Sequence, residues 1–225
     1  MIHDRETNFL YLTDKLKKKK KYSAFLARFE KVLIENDVPY EFLLNTNDIW
    51  AVDYMPVQIT TDKFVQFDYN PDYLQSKTQR KTISDVDGIC KSINILPKKS
   101  KILVDGGNVI RTTNKVIMCD KVFKENPNIT EKELIKQLRD TFEVDNLFFV
   151  PWDTSDFTGH ADGMVRFVDS KTVLINAYLE EKPEYQRSFR MALHNAGLDW
   201  IEIPYNPYDN KSNSNAEGVY LNYYN

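Results

Sequence analysis

Residues 159–167, Gly-His-Ala-Asp-Gly-Met-Val-Arg-Phe, place a histidine and an aspartate in a glycine-containing turn before a short apolar segment. Two further segments have the same character: residues 48–56, Asp-Ile-Trp-Ala-Val-Asp-Tyr-Met-Pro, and residues 104–108, Val-Asp-Gly-Gly-Asn. Each combines acidic side chains with glycine or proline where a strand is expected to meet a turn. An aspartate before a glycine turn more often caps the turn than carries chemistry, so only the three segments together indicate a function.

The three segments recur at nearly the interval of the predicted helices. Asp53, Asp105 and Asp162 are separated by 52 and 57 residues. Apolar residues at helical spacing predict helices centred near residues 27, 87, 136 and 189, each followed by strands. This pattern indicates a repeated unit of the β-α-β type. Because equivalent positions of a cyclic repeat face the same axis, we expect the three carboxylates to converge on one cavity.

The individual segments predict a mixed α/β protein. Thr130 followed by Glu133 forms a capping box that predicts a helix over 130–142, and Gly197 is suited to end the helix that contains residues 185–193. Strands are predicted over 8–16, 39–44, 51–60, 63–69, 101–104, 115–118, 146–150, 164–168, 173–176, 200–203 and 218–225. No linker rich in glycine, proline or serine separates these segments, so we predict a single domain over residues 1–225.

Composition excludes several classes of protein. The 225 residues are 42% hydrophobic and 28% charged, which is enough apolar material for a core and excludes a disordered or fibrous chain. The net charge of −3 excludes a general basic surface for nucleic acid. The longest apolar runs fall far short of the roughly 18 residues of a membrane helix, and the N-terminus has no secretory pattern. We therefore predict a cytoplasmic protein with neither a nucleic-acid nor a membrane partner.

The two cysteines have structural settings in the sequence. Cys90 lies on the apolar stripe of a predicted helix, and Cys119 closes a predicted strand. Two cysteines cannot form a disulfide framework, and no cluster of cysteine and histidine indicates zinc. We predict that both are core residues rather than reactive thiols.

Converging carboxylates require a partner of opposite charge. Such groups repel one another unless a cation or a proton lies among them. The suitable cations are a metal ion and a planar guanidinium, whose N–H groups match carboxylates in pairs. The three acidic segments therefore predict a site for one of these two kinds of cation.

Taken in order, the three motifs resemble a known family. The patterns D-x-W-x-x-D-x-x-P, acidic-Gly-Gly-Asn and G-H-x-D-x-x-x-R-F are similar to those of the agmatine deiminase and bacterial-type peptidylarginine deiminase family, within the guanidine-modifying superfamily. The resemblance runs over about residues 9–224. It implies a five-bladed β/α propeller of the pentein type, here incomplete, with about four modules and a strand, and one catalytic site at the pseudo-fivefold axis.

The resemblance also implies a role for each motif residue. Asp105 and Asp162 would hold the substrate guanidinium, and His160 would be the general acid and base. The implied substrate-binding residues are Asp53, Trp50, Arg166 and Asp48. A small guanidino molecule is the implied substrate, while no cofactor and no metal are implied.

The chain departs from the family pattern in three ways. Val52 stands where the family usually has arginine, and Asp105 stands where many members have glutamate. The nucleophilic cysteine of the family lies in a glycine-rich segment near the C-terminus, one module beyond the last motif found here. We therefore expect this chain to lack the last module, as a fragment or a pseudogene product, or else to pair with a second copy as a homodimer.

Two functions from different classes follow from these observations. The first is a guanidine iminohydrolase that acts on agmatine or an arginine derivative. The second is a binding protein that retains the three converging carboxylates and recognises a guanidinium or an amine without hydrolysing it. A third interpretation, an iron site formed by His160, Asp162 and His194, would leave the other two acidic motifs unexplained.

Overall fold

A computed structural model describes residues 1–2, 6–208 and 218–221. Over these residues the chain is a mixed α/β fold of small sheets. It divides into two compact units: Glu6–Gly106, the first unit, and Gly107–Asn225 with Met1–Arg5, the second unit. Whether residues 1–225 form one domain stays a prediction.

The first unit alternates short strands with helices. Its elements are β1 Leu10–Thr13, α1 Lys15–Lys18, α2 Ser23–Glu35, β2 Tyr40–Leu43, α3 Ala51–Tyr54, β3 Val57–Thr60, β4 Lys63–Asp68, α4 Val86–Ser92 and β5 Lys98–Leu103. Strands β1 and β2 pair in parallel, with α2 between them in the chain. Strand β4 pairs with β3 in antiparallel fashion and with β5 in parallel. A small core of Leu43, Tyr54, Val86, Ile89 and Cys90 packs together in this unit.

The second unit repeats the plan of the β3-β4-β5 sheet twice. Its elements are β6 Ile110–Thr112, β7 Lys115–Cys119, α5 Lys121–Glu125, α6 Glu131–Phe142, β8 Asn146–Val150, β9 Val165–Phe167, β10 Thr172–Asn176, α7 Pro183–Asn195 and β11 Asp199–Ile203. In both sheets an antiparallel pair is followed by a helical connection to a parallel strand. The repeated β-α-β unit predicted from the sequence is therefore present within each of the two units.

Local signals fix the helix ends as expected. The hydroxyl of Thr130 accepts a hydrogen bond from the amide of Glu133 at 3.4 Å, which caps α6. Gly197 adopts a φ of +65° just after α7, a conformation that side chains rarely adopt. Both predictions from the sequence are confirmed.

The strand predicted over 51–60 is wrong in its first half. Residues Ala51–Tyr54 form a helical turn, in which the amide of Met55 donates to the carbonyl of Ala51 at 2.9 Å, and only Val57–Thr60 form a strand. The turn buries Tyr54 to 2% exposure within the small core of the first unit. Burial of this ring outweighs the strand preference of the neighbouring residues.

Two further strand predictions need correction. The strand predicted over 8–16 covers only Leu10–Thr13, because the carboxylate of Asp14 binds the amides of Asn45 and Thr46 and the chain then turns into α1. Of the strand predicted over 218–225, residues 218–221 are not in a strand, and 222–225 lie outside the described residues. Among the described helices, none is long and apolar enough to cross a membrane.

Candidate guanidinium-binding site

The first acidic motif forms the turn α3. Asp53 lies in this turn with 8% of its surface exposed. Asp48 precedes it and is half-buried, and its carbonyl accepts a hydrogen bond from the hydroxyl of Tyr54 at 3.2 Å. Trp50 is 54% exposed and therefore does not pack in the core. The motif thus buries one carboxylate and leaves an aromatic ring beside it in solvent.

The second acidic motif packs directly against this turn within the first unit. Asp105 follows β5 and is 5% exposed. At the next residue, Gly106, a Cβ atom would lie 1.9 Å from the carbonyl oxygen of Val52 and 3.6 Å from the Cα of Asp53. Only glycine permits such an approach of two backbones. The glycine after Asp105 therefore brings Asp53 and Asp105 to the same place.

Two tyrosines complete the acidic cluster of the first unit, defined here as Asp53, Asp105, Tyr69 and Tyr73. The hydroxyl of Tyr73 donates to Oδ2 of Asp105 at 2.9 Å. Burial raises the pKa of both tyrosines, and the charges of Asp53 and Asp105 raise it further. Both hydroxyls therefore stay protonated and remain donors beside the carboxylates.

The third motif forms a single 3₁₀ turn in the second unit. Asp162 lies in the turn Ala161–Gly163, and His160 directly precedes this turn. Both residues are buried, with 8% of their surface exposed. Burial raises the pKa of Asp162, while the nearby charges of His160 and Arg166 oppose this effect. Arg166 lies half-buried on β9. His160, Asp162 and Arg166 are thus close enough to interact.

The turn is fixed to its surroundings on both sides. The indole N–H of Trp152 donates to the carbonyl of Asp156 at 2.9 Å, and the carboxylate of Asp156 accepts from the amide and hydroxyl of Thr158. After the turn, the side-chain amide of Asn176 donates to the carbonyl of Gly163 at 2.7 Å. We call residues 156–163 the His160 loop.

Asn108 of the Gly-Gly-Asn motif has a structural role. Its Oδ1 accepts the amide of Cys119 at 2.6 Å, and its Nδ2 donates to the carbonyl of Cys119 at 3.3 Å. The buried side chain of Asn108 thereby satisfies the backbone N–H and C=O of Cys119, as a neighbouring strand would. This pair of bonds holds the start of the second unit against the end of β7.

Neither cysteine is placed to act as a nucleophile. Cys90 and Cys119 are 2% and 0% exposed, as predicted. Burial raises the pKa of the Cys90 thiol to about 11 and that of the Cys119 thiol to about 12. A catalytic thiolate requires a lowered pKa and access to the substrate, so both residues are core residues.

The structure thus brings the predicted site residues together in two groups. Asp53 and Asp105 meet in the first unit, while His160, Asp162 and Arg166 meet in the second. Convergence of the two groups on one cavity stays a prediction. His194 is exposed in the last turn of α7, and among the described residues no three His, Cys, Asp or Glu side chains are grouped to hold a metal ion.

Sequence reasoning missed Tyr69, Tyr73 and Lys121. Tyr69 and Tyr73 flank the Asn-Pro-Asp segment after β4, and Tyr73 reaches a carboxylate 32 residues away. Lys121 begins α5, two residues after the end of β7, and donates to carbonyls 36 and 37 residues away. No local pattern marks these partners, and a tyrosine pair beside a proline turn was the only visible signal.

Solved structures of deiminases share this fold. An agmatine deiminase of C. jejuni has a TM-score of 0.70 at 18% identity, with 91% of this chain and 73% of that chain covered. A cysteine-to-serine variant of that enzyme with substrate bound gives the same values. An agmatine deiminase of Enterococcus faecalis has a TM-score of 0.56 at 14% identity, covering 80% of this chain and 56% of that chain. No curated protein matches the chain.

The family and the structural neighbours of this chain are guanidino-modifying hydrolases. The family model of the Porphyromonas-type peptidyl-arginine deiminases matches residues 2–225, which is nearly the whole chain. The chain belongs to this family, and the resemblance found in the sequence is confirmed.

Proposed function

We propose that this chain is an agmatine deiminase-like guanidine iminohydrolase that binds agmatine or an arginine derivative. The observation that carries the proposal is that each of the three family motifs supplies a buried carboxylate. Asp53, Asp105 and Asp162 are 8%, 5% and 8% exposed. Carboxylates so far from water favour a ligand that is both cationic and rich in N–H donors. A guanidinium has both properties.

The proposed roles follow from charge and protonation. Asp105 and Asp162 bind the guanidinium N–H groups and orient the planar cation, with Asp53 as a further carboxylate. Tyr73 donates to Oδ2 of Asp105 at 2.9 Å, which fixes the orientation of this carboxylate. Asp48, Trp50 and Arg166 are the further proposed substrate-binding residues, with Trp50 against the aliphatic part of the ligand. No metal or cofactor takes part.

His160 is the proposed general acid and base. The overall reaction is R–NH–C(NH2)2⁺ + H2O → R–NH–CO–NH2 + NH4⁺. In the reaction of this family a cysteine thiolate attacks the guanidinium carbon, and neither Cys90 nor Cys119 is placed to supply it here. His160 would protonate the amine that leaves as ammonia and would then activate the water that hydrolyses the thiouronium. Asp162 interacts electrostatically with His160, so a carboxyl group lies near the proposed acid and base.

The second candidate function is binding of a guanidinium without turnover. Burial and raised pKa values at Cys90 and Cys119 favour it, because these are the two cysteines of the sequence. Under this second function the 225-residue polypeptide binds the substrate and does not release ammonia from it. Both functions use the same carboxylates.

We also propose that the repeated modules belong to a single β/α propeller domain of the pentein type. The shared plan of three sheets supports this proposal. A cytoplasmic location and a homodimer remain predictions.

Calorimetry with agmatine, arginine and an arginyl peptide tests the proposal. Loss of one charge-assisted hydrogen bond costs about 1.5–3 kcal/mol, or roughly ten- to a hundredfold in affinity. We expect Asp105→Asn and Asp162→Asn to weaken binding of the preferred ligand by that amount. Asp140→Asn, the same change at an exposed position of α6, is the matched control and should leave binding unchanged.

The outcome can contradict either part of the proposal. Equal affinity in Asp105→Asn, Asp162→Asn and the control would place the ligand elsewhere. An ammonia assay with the same ligands should detect no turnover. Ammonia release that disappears in Cys90→Ser or Cys119→Ser would show that one of these residues is a nucleophile after all.

A further inference from the structure

Lys121 is a charged side chain in the interior of the second unit. The residue is 2% exposed, although lysine is among the residues least often fully buried. It is the first residue of α5, which Asp120 separates from β7. Its burial requires that hydrogen bonds replace the water lost by the ammonium group.

The ammonium group binds the His160 loop. Nζ donates to the carbonyl of Thr158 at 2.8 Å and to the carbonyl of Phe157 at 3.1 Å. It also lies 3.3 Å from a carboxylate oxygen of Glu125, one turn along the same helix. Glu125 alone would balance the positive charge of Lys121 within α5. The two hydrogen bonds to the carbonyls of Phe157 and Thr158 are therefore the contacts that hold the loop.

The stem of Lys121 also shapes the loop. Gly159, with a φ of +67°, passes over it so closely that a Cβ would lie 2.3 Å from Cδ of Lys121 and 3.1 Å from the indole nitrogen of Trp152. The indole N–H of Trp152 in turn holds the carbonyl of Asp156. The loop is therefore held from Asp156 to Gly159, and His160 is the next residue.

We propose that Lys121 is a positioning residue that holds the His160 loop at residues 157–159 and thereby fixes where the side chain of His160 lies in the second unit. The proposal rests on the proposed function for the role of His160. An ammonium group supplies three N–H donors from one point, which allows it to bind two consecutive carbonyls and a carboxylate together. The loop thereby keeps a fixed path although it has no strand or long helix of its own.

The test uses the double variant Lys121→Met/Glu125→Gln. Methionine keeps an unbranched stem, and glutamine avoids leaving a buried carboxylate without its cation. Glu125→Gln alone is the matched control, because it keeps the two carbonyl bonds of Lys121. The difference between these two variants isolates the bonds to the loop.

Local hydrogen exchange and the His160 imidazole resonance are the readouts, with His194 as internal reference and His160→Gln for assignment. In the double variant we expect amides of the His160 loop to exchange at least about tenfold faster, with amides of α6 and β7 unchanged. The His160 resonance should move while that of His194 stays. Neither change should appear in the control. Uniformly faster exchange, or an unchanged loop and an unmoved His160 resonance, would overturn the proposal.

Agmatine binding separates this proposal from the proposed function. Wild-type protein that fails to bind agmatine would contradict the function, whereas exchange and the His160 resonance test Lys121 without a ligand. If the double variant does not fold, Gly159→Ala replaces it, because its added methyl group displaces the loop from the stem of Lys121. An unmoved His160 resonance in Gly159→Ala would likewise overturn the proposal.

Discussion

Replacement of Gly106 by alanine tests whether backbone contact sets the spacing of Asp53 and Asp105. The new Cβ would lie 1.9 Å from the carbonyl oxygen of Val52, and real Cβ contacts below 3.0 Å essentially do not occur. The two backbones must therefore separate by at least 1.1 Å to reach 3.0 Å. Overpacking of this kind costs about 1–3 kcal/mol, and the oxygen belongs to the main chain and cannot rotate away.

Thermal unfolding followed by circular dichroism measures this cost against two other glycines. At about 2–4 °C per kcal/mol for a chain of this size, Gly106→Ala should lower the melting temperature by roughly 2–12 °C. Gly163→Ala meets nothing within 4 Å and should leave it unchanged or slightly raised. Gly197→Ala also meets nothing, but its φ of +65° should cost about 1 kcal/mol.

The order of the three variants decides the outcome. A melting temperature for Gly106→Ala equal to that of Gly163→Ala would refute the close approach of α3 to the turn after β5. If the approach is real, the same displacement also separates Asp53 from Asp105. Agmatine affinity should then fall in Gly106→Ala even at temperatures where the variant is fully folded, and a normal affinity would refute the link to the site.

Three further outcomes are expected. Tyr73→Phe removes the hydrogen bond to Asp105 and should lower the free energy of unfolding by about 1 kcal/mol, measured by chemical denaturation. It should also weaken agmatine binding, measured by calorimetry. At pH 8, Cys90 and Cys119 should react with iodoacetamide at least about a hundredfold more slowly in the native protein than after unfolding, since burial raises their pKa values to about 11 and about 12. Burial raises the pKa of Asp162, so its contribution to stability is present below about pH 4 and is lost as the pH rises through the raised value. Asp162→Asn should reduce this loss of stability with rising pH and be more stable at pH 7 by on the order of 1 kcal/mol, while binding agmatine less tightly. A steeper loss of stability with pH in the variant would contradict this.

The repeated architecture was predictable because its signals are local. The apolar spacing of α6, its Thr130 cap and the glycine after α7 each act within a few residues of chain. The same holds for the motif residues, since an aspartate next to glycine or histidine is visible without knowing its partner. Periodicity and motif order together were enough to indicate the family that the comparisons then showed.

The supporting residues were not predictable because their partners are distant in sequence. Residues 51–54 form α3 rather than the predicted strand because the ring of Tyr54 packs against α4, which begins at Val86. Tyr73 reaches Asp105, and Lys121 reaches the carbonyls of the His160 loop. Residue type alone gives a tyrosine or lysine a surface role, and only tertiary packing reverses it.

Val52 stands where the family resemblance implies an arginine. At this position the backbone sets how close Asp53 and Asp105 lie, whereas the side chain sets the charge near them. The side chain of Val52 is 44% exposed, whereas its carbonyl makes the contact with Gly106. Every residue carries the same carbonyl, so the approach of α3 to the turn after β5 does not depend on the side chain at this position. If the family resemblance holds at this position, valine in place of arginine leaves Asp53 beside Asp105 and is expected to leave one cation fewer near them. With one cation fewer, the field around the two carboxylates would be more negative, which would strengthen their attraction for a cationic ligand. The departure from the family pattern thus alters the electrostatics of the acidic cluster while its geometry persists.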